Sequence, residues 1–368
     1  MSVPVSLSVK ASFRAAVSAG GSLLFTLACI SAGAPASAQE SYSQDRSFPE
    51  ISRFNMQNVS WMTLSPAGDQ LYMVQRGTPA VSIWTLDGRL VSSWSTDWLG
   101  EPHSLSFQKT AKGEIFAWIT DMAPPNTAGG AFGHCIKKFT PDGNYLGSIG
   151  VCGADSQGSS LDPIQFDKVT DVAFDANGLM WVTDGDVGGL NNRVLSLDPE
   201  TGKVLQVWSA PNNKAGTGPG QFNLPHAITT DHCNRIFIAD ALNNRVQIFE
   251  QDGTFLQQLQ CFGTLGVYGL ALGNDAATSA QLFVSSSTTT FTGAGNVQIF
   301  PVSADCKAPL PVENGCQGAT NIAISLPQGT SGSALHNIAV AQQDSAFFIA
   351  PLGGNLSPQK WTRTPSGQ

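Results

Sequence analysis

The sequence predicts an all-β fold, a six-bladed β-propeller whose blades are four-stranded antiparallel sheets. Three observations predict it. Glycine is abundant, 38 of 368 residues, while only 12% of residues are charged, against the usual roughly 7% and 25%. Apolar or alternating runs of four to six residues are separated by Asp, Asn and Gly turns, the mark of short strands in a meander. The group of runs then recurs six times, which is how a propeller reads in one dimension.

The copies follow in order. The first runs through Trp61–Leu64, Leu71–Val74, Val81–Leu86 and Leu90–Trp94; the second through His103–Phe107, Ile115–Ile119, Ile136–Phe139 and Tyr145–Ile149. The third and fourth align best, with Val169–Phe174, Leu179–Asp184 and Asn192–Asp198 matching Pro225–Asp231, Arg235–Asp240 and Asn244–Phe249. Tyr268–Leu272, Leu282–Ser285 and Val297–Phe300 make the fifth, and His336–Val340 with Phe347–Ala350 the sixth, ending near Lys360-Trp361. A strand over Arg53–Gln57 is expected to close the ring beside the last blade. The layout is then a signal peptide over 1–38, a linker over 39–52, the propeller over 53–363 and a tail over 364–368.

The signal peptide is read from Lys10 and Arg14, the apolar stretch Ala15–Ile30 and the small residues Ala36-Ser37-Ala38, with cleavage after Ala38. The stretch is too short and too rich in Gly and Ser for a stable membrane span. Cys29 offers a lipidation site, but Thr26-Leu27-Ala28 is a poor context for one. A periplasmic or secreted protein is expected. Its six remaining cysteines suggest disulfides, most simply Cys135 with Cys152, Cys233 with Cys261 and Cys306 with Cys316. A net charge of −8 without any basic stripe argues against nucleic acid as a partner. No nucleotide, flavin or haem motif is present, and nothing calls for more than a monomer.

Counting back five residues from the turn after each first strand gives one equivalent position per copy: Ser60, His103, Thr170, His226, Tyr268 and His336. Three of the five histidines occupy it, in alternate copies. Since first strands line a propeller's channel, these imidazoles are expected to converge from directions about 120° apart on a metal ion. Three neutral imidazoles with an open fourth position match catalytic zinc, though copper and iron also accept imidazole. His134 and His232 lie off this phase, in or beside turns, and read as ordinary polar residues.

Gly218-Pro-Gly-Gln-Phe-Asn-Leu-Pro225, followed by the Asn-Asn-Arg-Val strand start, resembles the NHL repeat. Within that superfamily, Pro102-His103-Ser104-Leu105, Leu224-Pro225-His226, Leu335-His336-Asn337-Ile338 and Gln75-Arg76-Gly77 resemble the peptidyl-α-hydroxyglycine α-amidating lyases. The resemblance spans about residues 54 to 362. It implies a six-bladed propeller with zinc on His103, His226 and His336, a small-molecule or peptide C-terminal substrate, and release of an amide and glyoxylate. It also implies a structural calcium nearby and gives Arg76 the substrate carboxylate. The departures are specific. Asp186 stands where the family has a catalytic Tyr, Ala241 where it has a second Arg, and Asn337 where an acidic residue follows the third histidine. Tyr268 at the channel phase and Asp186 as a carboxylate base are the replacement catalytic residues expected. A zinc hydrolase on the same histidines and a non-catalytic NHL binding scaffold are the competing functions. A calcium lactonase would need carboxylate and amide ligands that the channel phase lacks.

Overall fold

A computed structural model describes residues 41–50, 54–123, 130–154, 160–273, 279–289, 294–303, 305–306, 318–326, 334–353 and 356–364. The expected signal peptide with its cleavage position and Cys29 lies outside these residues, as do 39–40 and 51–52 of the expected linker, Arg53 at the start of the expected closing strand, Cys316 and 365–368 of the expected tail.

Six four-stranded antiparallel sheets form among the described residues, five of them with strands in chain order. The first strands are Val59–Leu64, Pro102–Lys109, Val169–Phe174, Pro225–Thr230, Leu265–Gly273 and Ala334–Val340. Successive first strands contact one another around the ring, so they line its axis as expected of a six-bladed propeller.

Burial explains the sequence pattern. Second and third strands such as Met180–Asp184 and Arg245–Phe249 are buried at every residue, because neighbouring blades cover both faces. They therefore read as continuous apolar runs rather than alternating ones. Outer strands such as Val204–Ser209 alternate, with every second side chain exposed. Between blades the layers interdigitate through large rings, as where Trp208 of blade 3 meets Phe249 of blade 4 at 5.1 Å. At roughly 25 cal/mol per Å² of apolar surface, such layers are the main stabilising contribution.

The ring is closed by Ser41–Asp45, which pairs antiparallel with Gln359–Thr364 as the fourth strand of blade 6. That corrects the expected closing strand at Arg53–Gln57, since residues 54–57 form no strand. The closing segment is polar except for Tyr42, whose ring packs on Phe347 at 5.0 Å and Phe283 at 6.3 Å. One anchoring ring and a full hydrogen-bond ladder suffice at an outer edge, so no apolar run marks it. Blade 5 also gains a fourth strand, Thr320–Ser325, unread from the sequence.

Cys135 is bonded to Cys152, as expected. Cys233 is bonded to Cys306 rather than Cys261, which also removes the expected Cys306–Cys316 pair. The reason is stacking. Cys233 lies in the first turn of blade 4, against the end of blade 5's third strand, where Arg235 Nη2 also donates to Ser303 O at 2.8 Å. Face-to-face blades bring together residues 73 apart in sequence.

Blades 2, 3 and 4 share a buried ion pair between the end of the second strand and the third strand. Asp121 meets Lys137 at 2.6 Å, Asp184 meets Arg193 at 2.8 Å and Asp240 meets Arg245 at 2.8 Å. Each carboxylate also accepts a backbone N–H just ahead of the first strand, from Gly100 and Glu101, from Asp167, and from Asn223. The pair thus fixes the segment that leads into the channel-lining strand.

Candidate metal centre

The channel-phase residues share one backbone device. In all six first strands the pairing register slips at this position, between Val59 and Trp61, Pro102 and Leu105, Val169 and Asp171, Pro225 and Ala227, Val267 and Gly269, and Leu335 and Asn337. Each slip is a β-bulge. It leaves its residue out of the ladder and re-aims the side chain, here toward the axis.

Three imidazoles meet there, all essentially buried. Their ring centroids lie 4.5 to 4.8 Å apart, and His226 Nε2 is 3.0 Å from His336 Nε2. Every Nδ1 is held by a carbonyl of the next blade at the same phase. His103 reaches Thr170 O at 2.7 Å, His226 reaches Tyr268 O at 2.6 Å and His336 reaches Ser60 O at 2.7 Å. A carbonyl only accepts, so Nδ1 carries the proton and each Nε2 keeps its lone pair inward. Even blades supply the rings and odd blades the groups that orient them, the outer-shell arrangement of a metal-ligating histidine.

Electrostatics agree with neutral rings. Burial holds His103 and His336 well below the usual imidazole value, with His226 and the Arg76 guanidinium adding to it. His226 is lowered chiefly by burial, against the opposing pull of Asp186. His103 Nε2 is fully buried and has no hydrogen-bond partner, a costly state for a polar atom. Ligand nitrogens on one tetrahedral zinc lie roughly 3.3 Å apart. The three Nε2 atoms therefore fit a metal ion, and they explain why an orphaned nitrogen is tolerated.

The surroundings differ on the two sides. Trp61, next along the inner strand from Ser60, places its ring 5.8 to 6.3 Å from all three imidazoles and closes the channel beyond them. Asp186 lies on the other side, just past the end of the second strand of blade 3, with Oδ2 3.9 Å from His103 Nε2. Tyr268 stands 5.2 Å, ring to ring, from His226; its phenol is pushed up to about 12 by burial and by the Asp186 charge. Arg76 leaves blade 1 on the same side. Its Nη1 is paired with Glu101 Oε1 at 2.7 Å, its Nη2 donates to Met122 Sδ at 3.9 Å, and its Nε is buried without a hydrogen-bond partner among the described residues. Asp186 and Tyr268 thus stand beside the three imidazoles, and Arg76 acts on them through its charge.

Two participants were not read from the sequence. Glu101 immediately precedes Pro102-His103, and Trp61 follows the first channel-phase residue; adjacency to the phase was the only available signal. Asn337 Oδ1 accepts the Met62 N–H at 2.8 Å, so the residue is spent on joining blades 6 and 1 and offers no carboxylate to a calcium ion. Ala241, where a second arginine was sought, is buried in a short 3-10 turn. His134 accepts the Lys168 N–H at 3.0 Å, well off the axis phase.

No family model matches the chain. Human NHL repeat-containing protein 3 is 35% identical over 184 residues, covering 50% of this chain and 49% of that one. Mouse peptidyl-glycine alpha-amidating monooxygenase is 31% identical over 153 residues, covering 41% of this chain and 14% of that one. The chain spans about half the length of the NHL repeat-containing relatives it matches. Among solved structures, a streptogramin B lyase superposes with a TM-score of 0.50 at 15% identity, covering 89% of this chain and 98% of that one. At that identity the likeness concerns the fold alone.

Proposed function

We propose that this NHL-repeat propeller, which resembles the amidating lyases, is an exported metal-dependent lyase that cleaves the C–N bond of an α-hydroxyglycine-like substrate. The observation that carries the reading is the convergence of three buried Nε2 lone pairs, each fixed by an Nδ1 bond to the next blade. His103, His226 and His336 would hold one divalent ion, zinc by preference for this donor set. Such an ion supplies Lewis acidity toward a hydroxyl oxygen and lowers its pKa.

The remaining roles fall to the chain's own groups. The Nε–Nη2 edge of Arg76 is the one Glu101 leaves available, and a guanidinium edge suits a substrate carboxylate. Asp186 takes the hydroxyl proton. As the carbonyl forms, the C–N bond breaks and its electron pair goes to nitrogen, which Asp186 reprotonates; the products are an amide and glyoxylate. Tyr268, held as a phenol, donates a hydrogen bond near the departing nitrogen. Trp61 keeps water from the far side. Export is supported by two disulfides and by the charged, apolar and small-residue order of residues 10–38. No helix among the described residues is long and apolar enough to cross a membrane.

The test is elemental analysis of the purified protein beside His226→Ala, followed by assay of glyoxylate release from N-acyl-α-hydroxyglycines. About one zinc per chain, lost in the variant, together with glyoxylate release, is expected. Absence of transition metal from both proteins would overturn the reading and leave a binding scaffold.

A further inference from the structure

We infer that Asp186 closes the metal site at rest, as a fourth ligand that an incoming substrate must displace. The inference rests on the reading that the three histidines hold a divalent ion. Four observations carry it.

Distance comes first. Asp186 Oδ2 lies 3.9 Å from His103 Nε2, the imidazole nitrogen with no hydrogen-bond partner. Ligands of one tetrahedral ion are roughly 3.3 Å apart; the three imidazoles group within 4.8 Å of one another without Asp186, so on a bound ion the loop brings the carboxylate inward to join them. Direction follows from topology. With Trp61 filling the axis beyond the rings, the fourth position must face the side where the second strand of blade 3 ends, which is where Asp186 lies. Charge is the third. Arg76 acts on all three imidazoles, and Glu101 is taken up by it. Asp186 is then the carboxylate left to offset an added cation.

The fourth is the build of the loop. Asp186 Oδ1 accepts the Val187 N–H at 2.7 Å, which turns Oδ2 to the cluster. Gly189 N donates to Asp186 O at 2.8 Å, Gly185 N to Lys168 O at 3.2 Å, and Lys168 Nζ to Val187 O at 2.5 Å. Gly185 has φ +149, and a Cβ there would meet Asn191 O at 2.1 Å, so only glycine lets the chain turn this way. The loop is held in shape around its aspartate, yet its tip at Val187 is exposed. It can carry the carboxylate off the ion as a unit. Once displaced, the same carboxylate stands beside the substrate hydroxyl, where the proposed proton transfer needs it.

Cobalt(II) reports coordination directly. The metal-free full protein is titrated with Co²⁺, and affinity is read by chelator competition and geometry by visible absorption. The same is done for Asp186→Ala, Asp186→Glu and His226→Ala. The wild type is expected to give a four-coordinate spectrum that does not change with pH across the neutral range. Asp186→Ala should bind at least the roughly 10–100-fold more weakly typical of outer-shell losses, with a spectrum that now titrates as water takes the vacant position. Asp186→Glu should recover part of the affinity, which separates ligation from a folding defect. If Asp186→Ala keeps wild-type affinity and spectrum, the inference falls while the three-histidine site stands. If neither wild type nor His226→Ala binds cobalt, both fall.

Discussion

His226 in blade 4 and His336 in blade 6 aim Nδ1 at the following blade's carbonyl with almost the same length, 2.6 and 2.7 Å, yet their blades are braced by different means. In blade 4, Asp240 accepts from Asn223 N, Asn243, Arg245 and Gln247, and Arg245 in turn holds the carbonyls of Thr217, Gly218 and Gln221. A buried ion pair fixes the approach to the histidine. In blade 6 the second strand ends in Pro351-Leu352, with no such aspartate, and the blade is completed instead by the distant strand Ser41–Asp45. What the two share is the bulge and the neighbouring carbonyl. Those fix the imidazole; the brace fixes only the blade.

The comparison breaks first on metal. His226→Ala and His336→Ala should each take bound metal from about one ion per chain to none after dialysis, since a two-imidazole remnant is a poor site. If one of them retains metal, the rings are not equivalent. Next in size is the brace. Asp240→Ala leaves Arg245 buried without its partner and should lower unfolding free energy in denaturant by about 3–5 kcal/mol. Blade 6 has no buried ion pair among its described residues. Its counterpart, Tyr42→Ala, removes a half-buried aromatic anchor and should cost about 2 kcal/mol, below the range for fully buried rings. A larger loss would mean that closure, not the ion pair, dominates stability.

Acid sharpens the comparison further. Burial lowers all three imidazoles below the usual histidine value of about 6.5, so the unfolded chain takes up protons first. Stability of the metal-free protein is therefore full above pH 6.5 and falls as pH drops below it, by up to about 1.4 kcal/mol per pH unit for each ring. Removing His336, held well below the usual value, should flatten the slope further than removing His226, whose lowering Asp186 opposes; the reverse order would show that the braces reach the rings after all. The smallest effect expected is Thr170→Val. It deletes the hydroxyl that donates to Pro225 O at 2.9 Å, beside His226, while keeping the Thr170 carbonyl on His103. About 1 kcal/mol of stability should go, with metal affinity nearly unchanged.

The blades and the alternating histidines were legible because both are periodic. Strand spacing and the phase of His103, His226 and His336 survive in one dimension. The bulges were not legible, since an extra residue in one strand is defined only against its partner. Nor were the Nδ1 acceptors, which are backbone carbonyls of Ser60, Thr170 and Tyr268 and leave no trace in residue identity. Cys233 was misassigned because pairing by nearness in sequence ignores that stacked blades bring the turn of one against the strand end of the next. The closing strand escaped notice because an outer edge needs only Tyr42 to be apolar.

Closure by Ser41–Asp45 has a consequence for when the site comes into being. Its partner strand, Gln359–Thr364, follows His336 in the chain, so the blade that carries the third imidazole is completed by a segment that precedes every other strand of the ring. Until the two strands pair, the blade that carries the third imidazole has no outer edge. An open chain thus holds three scattered imidazoles rather than a cluster. Pairing at the outer rim and convergence at the axis are therefore one event, and a change at the rim is felt at the centre.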